Sequence, residues 1–114
     1  MSGGLSVVGI NVKRVSVNIN VSFSIRELRD ERERAGVATL LTEVLETENM
    51  SYEVFLTFGG DGDSLSVTAD SDDPVNFSRF YLWKDPFEAM LISRVTALVP
   101  HATLVFDWEP ADEG

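Results

Sequence analysis

Residues 52–70, Tyr52-Glu-Val-Phe-Leu-Thr-Phe-Gly-Gly-Asp-Gly-Asp-Ser-Leu-Ser-Val-Thr-Ala-Asp70, carry the pattern that decides the fold. Tyr52, Val54, Leu56 and Phe58 alternate with Glu53, Phe55 and Thr57. Beyond a Gly/Asp cluster, Leu65, Val67 and Ala69 alternate with Ser64, Ser66 and Thr68. Successive strand side chains point to opposite faces, so period two on both sides of a glycine-rich turn predicts a β-hairpin with one buried face.

Working back from the hairpin, Val37, Leu40, Leu41, Val44 and Leu45 share one face at about 100° per residue and predict an amphipathic helix. Ser24-Ile-Arg-Glu27 fits a capping box, which places the helix over residues 24–48. That helix would be about 37 Å long, against about 27 Å for an eight-residue strand. Its charged first third, Arg26 to Arg34, is therefore expected to overhang the sheet, with a kink or break at Gly36. Before it, Val15, Val17, Ile19, Val21, Phe23 and Ile25 alternate with Ser, Asn and Arg and predict a long half-buried strand. Residues 5–12 form a short apolar run that predicts an extra N-terminal strand, offset in phase by Lys13-Arg14.

Working forward, residues 75–84 show no helical stripe and are expected to be extended. Asp85-Pro86 then offers an N-cap followed by an N1 proline, and Phe87, Met90, Leu91, Val95 and Leu98 form the buried stripe of a second helix. After Pro100, Ala102, Leu104, Phe106 and Trp108 alternate with Thr103, Val105 and Asp107 in a last strand. The order predicts an α+β fold, a ferredoxin-like βαββαβ layer: an antiparallel sheet with two helices on one face, plus the extra N-terminal strand. One domain over residues 1–114 suits the length, with 1–4 and 110–114 expected to fray.

Composition narrows the function classes. No cysteine is present, which removes thiolate metal sites and cysteine nucleophiles. Without a signal pattern or an apolar run of about 20 residues, no membrane association is expected, and a cytoplasmic location is the default. Net charge is −10, and its distribution is uneven. Residues 35–78 carry nine acids and no Lys or Arg. A one-sign block of this kind repels nucleic acid and favours basic partners or cations.

Candidate site residues follow from that block. Asp61, Asp63, Asp70, Asp72 and Asp73 are expected at one end of the hairpin, as an acidic rim facing a basic protein. Phe77, Phe80, Tyr81, Trp83 and Phe87 place five of the eleven aromatics in eleven residues, and Phe77, Tyr81 and Trp83 are the expected aromatic part of the same surface. His101, the lone histidine, lacks a recognisable nucleophile and is expected at an exposed strand start. The neutral Ser/Asn/Thr face of the strands is compatible with a homodimer.

Phe58-Gly-Gly-Asp-Gly-Asp63 is similar to two family motifs. It resembles the Gly-Gly-Asp hairpin of nucleotide cyclases and polymerase-palm proteins, a resemblance that would make Asp61 and Asp63 the metal ligands, although Gly62 stands where those enzymes have a second acid. It also resembles the Gly-Gly-x-Gly-x-Asp calcium nonapeptide of secreted β-helices, with Asp63 one residue early and a single copy. A glycine-rich turn with solvent-exposed Asp accounts for the same residues. The expectation is thus a non-enzymatic, cofactor-free acidic protein of the inhibitor, immunity or antitoxin kind. The alternatives are a carboxylate-metal domain using Asp61 and Asp63, and a structural subunit that dimerises through its sheet.

Overall fold

Alternation from Val17 to Ile25 makes the interior of the thirteen-residue β1, Ser16–Leu28, the strand on which the rest of the fold is assembled. The computed structural model describes residues 16–111. In order follow α1 (Glu31–Thr47), β2 (Val54–Asp61), β3 (Ser64–Ser71), β4 (Val75–Ser78), α2 (Phe80–Leu98) and β5 (Thr103–Pro110). The result is an α+β fold with a five-stranded antiparallel sheet and two helices. The expected strand at residues 5–12 lies outside the described residues, as do 1–4 and 112–114. Pro110, expected to fray, instead ends β5 opposite Ile19, and the Ala111 N–H donates to Asn18 O at 2.8 Å.

Neighbouring strands run β2-β3-β1-β4, with β5 also on β1. Ile19 faces both Val75 and Pro110, so β4 and β5 lie on opposite edges of β1. Residues 22–25 face both β3 and β5, so those two are also on opposite edges. Hence β3 and β4 run along the same edge of β1, separated by the loop at Asp72, Asp73 and Pro74. Ser71 anchors that interruption by accepting the Val21 N–H at 3.0 Å on Oγ.

Ile19, Val21, Phe23 and Ile25 turn to one face of the sheet and are essentially dry. They form one cluster with Val37, Leu41 and Val44 of α1 and Phe87, Leu91 and Val95 of α2, so both helices cover the same face. Burying each such side chain stabilises the fold by about 1.5–3 kcal/mol relative to exposure. The opposite face presents Asn20, Ser22, Thr68, Thr57 and Val105, and among the described residues no helix lies over it.

The first helix starts later than the capping-box reading placed it. Ser24 is a buried strand residue, and Glu27 takes a left-handed φ of 64° where the β1–β3 register slips by one residue. This bulge turns Leu28, which plain alternation would send outward, into the core at 0% exposure. The cap is Asp30, whose Oδ1 accepts the Glu33 N–H at 2.9 Å, and the expected overhang of a 24–48 helix is therefore absent. Nor does α1 break at Gly36. A Cβ there would meet Leu98 Cδ2 at 3.5 Å, so this glycine sits where the two helices approach.

The second helix starts earlier than expected. Residues 75–78 are extended as β4, but α2 begins at Phe80 after Arg79, which has a left-handed φ of 60°. Pro86 falls inside the helix and removes one backbone donor, a cost of about 3 kcal/mol in a helix interior. Phe80, Trp83 and Phe87 recur at helical spacing and offset it by packing together. Trp83 stacks on Phe87 at 4.5 Å between ring centroids, and Phe80 meets Trp108 edge-on at 5.8 Å. Leu98, assigned to the buried stripe, is half exposed.

Candidate functional site

The hairpin pairs as read, from Val54 opposite Ser71 to Asp61 opposite Ser64, with Gly62 and Asp63 as its two-residue turn. Gly62 has φ 64°, the positive value that a two-residue hairpin requires at its first central position. Gly60 has φ 80°, and a Cβ on it would lie 2.2 Å from the Ser64 carbonyl oxygen. Two glycines of the Gly-Gly-Asp-Gly run are thus demanded by backbone geometry. Among the described residues no group of three or more His, Cys, Asp or Glu converges to hold a metal ion.

The five aspartates do not share one end. Asp61 and Asp63 sit at the turn, whereas Asp70 lies opposite Phe55 and Ser22. Six residues of strand separate Ser64 from Asp70, about 20 Å at 3.3 Å per residue. The period-two pattern is the same whichever way the loop acids are grouped, which is why the reading merged them. Asp72 and Asp73 continue from Asp70 in the loop at the hairpin base.

The aromatic candidates are separated as well. Phe77 is buried and packs 4.8 Å from the Trp83 ring, and Trp83 is half-buried with its indole N–H donating to Glu48 Oε1 at 2.9 Å. Phe77 belongs to the core, and Trp83 packs half-buried against it. Tyr81 stays 68% exposed on the first turn of α2.

At the hairpin base the structure brings together a set that the sequence reading only partly named. The end of α1 is a Schellman turn: Asn49 is left-handed at φ 62°, its N–H donates to Glu46 O, and the Met50 N–H donates to Leu45 O at 2.8 Å. Met50 is thereby drawn into the core, and the turn it starts, closed by the Val54 N–H on Met50 O at 3.0 Å, pushes Tyr52 out to 93% exposure. Alternation had assigned Tyr52 to the buried face; it belongs to the turn before β2 instead. Tyr52, Glu53, Phe55, Asp72, Asp73 and Pro74 surround one hollow of about 250 Å³. Three carboxylates and two exposed aromatic rings meet there, and among the described residues no Lys, Arg or His lines it. Asp70, beside Phe55, joins its acidic margin, and the same cross-strand row continues through Ser22 to Asp107. The helix-ending Asn49 was the available signal that Tyr52 lies in a turn.

Several of the other acids are paired within the fold. Arg34 bonds both Glu31 oxygens, donates to Gly59 O at 3.0 Å and lies 5.1 Å over the Phe58 ring, tying α1 to β2. Arg94 pairs with Glu43 at 3.6 Å, and Lys84 sits between Asp85 and Glu88, whose hydrogen bond and charge raise its pKa. His101 is not a free strand start: its Nε2 lies 3.0 Å from Glu33 Oε1, with the Arg29 guanidinium at 2.9 Å. The Arg29 backbone N–H donates to Glu33 at 2.7 Å, and this bond, reinforced by His101, holds the Glu33 carboxyl below the ordinary glutamate range. A lowered carboxyl stabilises the fold above its unfolded pKa, so this tie holds at neutral pH and is lost only as pH falls through the acid range.

The hairpin-base hollow thus combines three carboxylates with two exposed aromatic rings. Carboxylates beside aromatic rings suit a guanidinium or ammonium group, through ion pairing at the rim and cation–π contact with the ring faces. No helix of the described residues is long and apolar enough to cross a membrane. No protein-family model matches the chain, and neither a curated protein nor a solved structure gives a significant match to it.

Proposed function

We propose that this is a small acidic protein-binding domain, of the inhibitor, immunity or antitoxin kind, that engages a basic partner through the base of its hairpin. The observation that carries the reading is the hollow between Tyr52, Phe55, Asp72 and Asp73, where acids and exposed rings meet and, among the described residues, no base lines the surface. An arginine or lysine of the partner enters that hollow, and the surrounding acidic field speeds its arrival and makes binding salt-sensitive. Asp61 and Asp63, at the far end of the hairpin, act only through that field. We read the protein as non-enzymatic and cytoplasmic. We also read its sheet as a ferredoxin-like layer of order β5-β1-β3-β2, counting β4 as a continuation of β3; the shared edge of β3 and β4 supports this. A second reading, a homodimer through the uncovered sheet face, is favoured by Phe55 and Val105, which are 50% and 38% exposed on that face.

The test is affinity capture from lysate of the source cells at low and high salt. Three baits are compared: the wild type, a base variant (Glu53→Gln, Asp72→Asn, Asp73→Asn) and a tip variant (Asp61→Asn, Asp63→Asn). Capture of a basic protein by the wild type and the tip variant, lost in the base variant and at high salt, is the expected result. Equal capture by all three baits, or none at low salt, would overturn the reading.

A further inference from the structure

The last strand, β5, pairs with β1 from Thr103 opposite Arg26 to Pro110 opposite Ile19, and among the described residues no strand occupies its other edge. Its helix-facing side chains Leu104, Phe106 and Trp108 are only half buried. Between them and α2 runs a groove of about 830 Å³, floored by Phe106, Trp108 and Phe80 and flanked by Tyr81. On the α2 side its charges are Lys84, Asp85 and Glu88, with the lysine already between the two acids. By alternation the other side of β5 carries Asp107, which also borders the groove, and Glu109, both exposed. An edge strand is a template for pairing, and proteins guard such edges with charge or proline. Here the guard is acidic, so it repels a second copy of a chain of net charge −10 while leaving the edge open to a basic segment.

We propose that β5 accepts, as an added strand, an extended segment of a partner protein in which apolar and basic residues alternate. Backbone hydrogen bonds to the open edge of β5 supply affinity, and the two-residue period of a strand separates the roles of its side chains. Alternate apolar side chains enter the groove over Phe106 and Trp108. The intervening lysines or arginines stand on the opposite face, across from Asp107 and Glu109, where opposite charges on neighbouring strands attract. This site is independent of the hairpin base and goes beyond the reading above; neither Asp72 nor Asp73 takes part in it.

The experiment titrates the full chain, labelled for amide NMR, with a synthetic octapeptide of alternating valine and lysine. Amide shifts confined to β5 and the first turns of α2 are expected. Asp107→Lys with Glu109→Lys is expected to weaken binding by about tenfold or more, since each 1.4 kcal/mol is a factor of ten. The doubly reversed protein should then bind the alternating valine–glutamate octapeptide that the wild type refuses. Methylating alternate backbone nitrogens of the peptide should abolish binding in the register that blocks pairing. No shifts at β5, shifts at Tyr52, Phe55 and Asp72 instead, or unchanged binding by peptides methylated in both registers would each overturn the proposal. A peptide-insensitive dimer in light scattering that Asp107→Lys alters would overturn it too, by assigning the edge to a second copy.

Discussion

Two groups of aromatic residues, drawn from one short sequence, meet opposite fates in this molecule. Phe23, Phe77, Phe80, Trp83, Phe87, Phe106 and Trp108 interlock under α2, with ring centroids 4.5–6.1 Å apart along the chain of contacts that joins them. Tyr52, Phe55 and Phe58, on and beside β2, are 93%, 50% and 55% exposed. The difference lies in coverage. Phe55 lies on the sheet face opposite the helices, Tyr52 in the turn before β2, and Phe58 at the far end of β2 under the Arg34 guanidinium. Aromatic rings under the helices hold the fold together, and those beyond them are free to contact something else.

Mutation can break the contrast at its strongest point first. Phe87 is buried and touches the rings of Phe23, Trp83 and Trp108, so Phe87→Ala is expected to cost about 3–5 kcal/mol, read as a lowered denaturant midpoint at unchanged slope. A loss under about 1 kcal/mol would show that the cluster is loosely packed. A smaller effect is expected in the hairpin, where the backbone and not a side chain is at stake. Gly60→Ala meets both a positive φ and the Ser64 carbonyl, and should cost about 1–3 kcal/mol. Gly62→Ala meets open space and carries only the φ strain, so it should cost less. If the two are equal in thermal melts, the turn relaxes and Gly60 is not obligatory. The smallest effect belongs to Tyr52→Ser and Phe55→Ser, each expected to change stability by no more than about 0.5 kcal/mol. A loss above 1 kcal/mol in either would mean that these rings are structural after all, and the hollow at the hairpin base would lose its standing as a docking site.

Several elements were legible in the sequence because they are decided locally. The β2–β3 hairpin, the interior of β1, the buried face of α1 and the inward side of β5 all follow from period two or period 3.6 read over a few residues. The misreadings share a cause. Leu28 breaks strand alternation because a bulge at Glu27 shifts it by one residue, and nothing in Arg26-Glu-Leu-Arg29 announces a left-handed glutamate. Asp85-Pro86 is a good local helix start that is overruled, because Phe80 and Trp83 gain more from joining the Phe23–Trp108 cluster than the helix loses at Pro86. Of the residues lining the hollow, only Asp72 and Asp73 stand among the candidates the sequence offers. Tyr52, Glu53, Phe55 and Pro74 do not, since their convergence depends on where α1 ends and where β3 is interrupted.

By itself the sequence determined the α+β class, the hairpin with its glycine turn, the core faces of the long elements and the concentration of negative charge in residues 35–78. Each of these is a property of neighbours along the chain, where propensity and periodicity act directly. Tertiary structure alone decided which acids stand together and which aromatics remain in water. Those outcomes depend on register, on the bulge in β1 and on how far the helices reach across the sheet. The free energy of burying the aromatic cluster outweighed the local signals at Ser24 and Asp85, and the same packing placed the hairpin base outside that cluster.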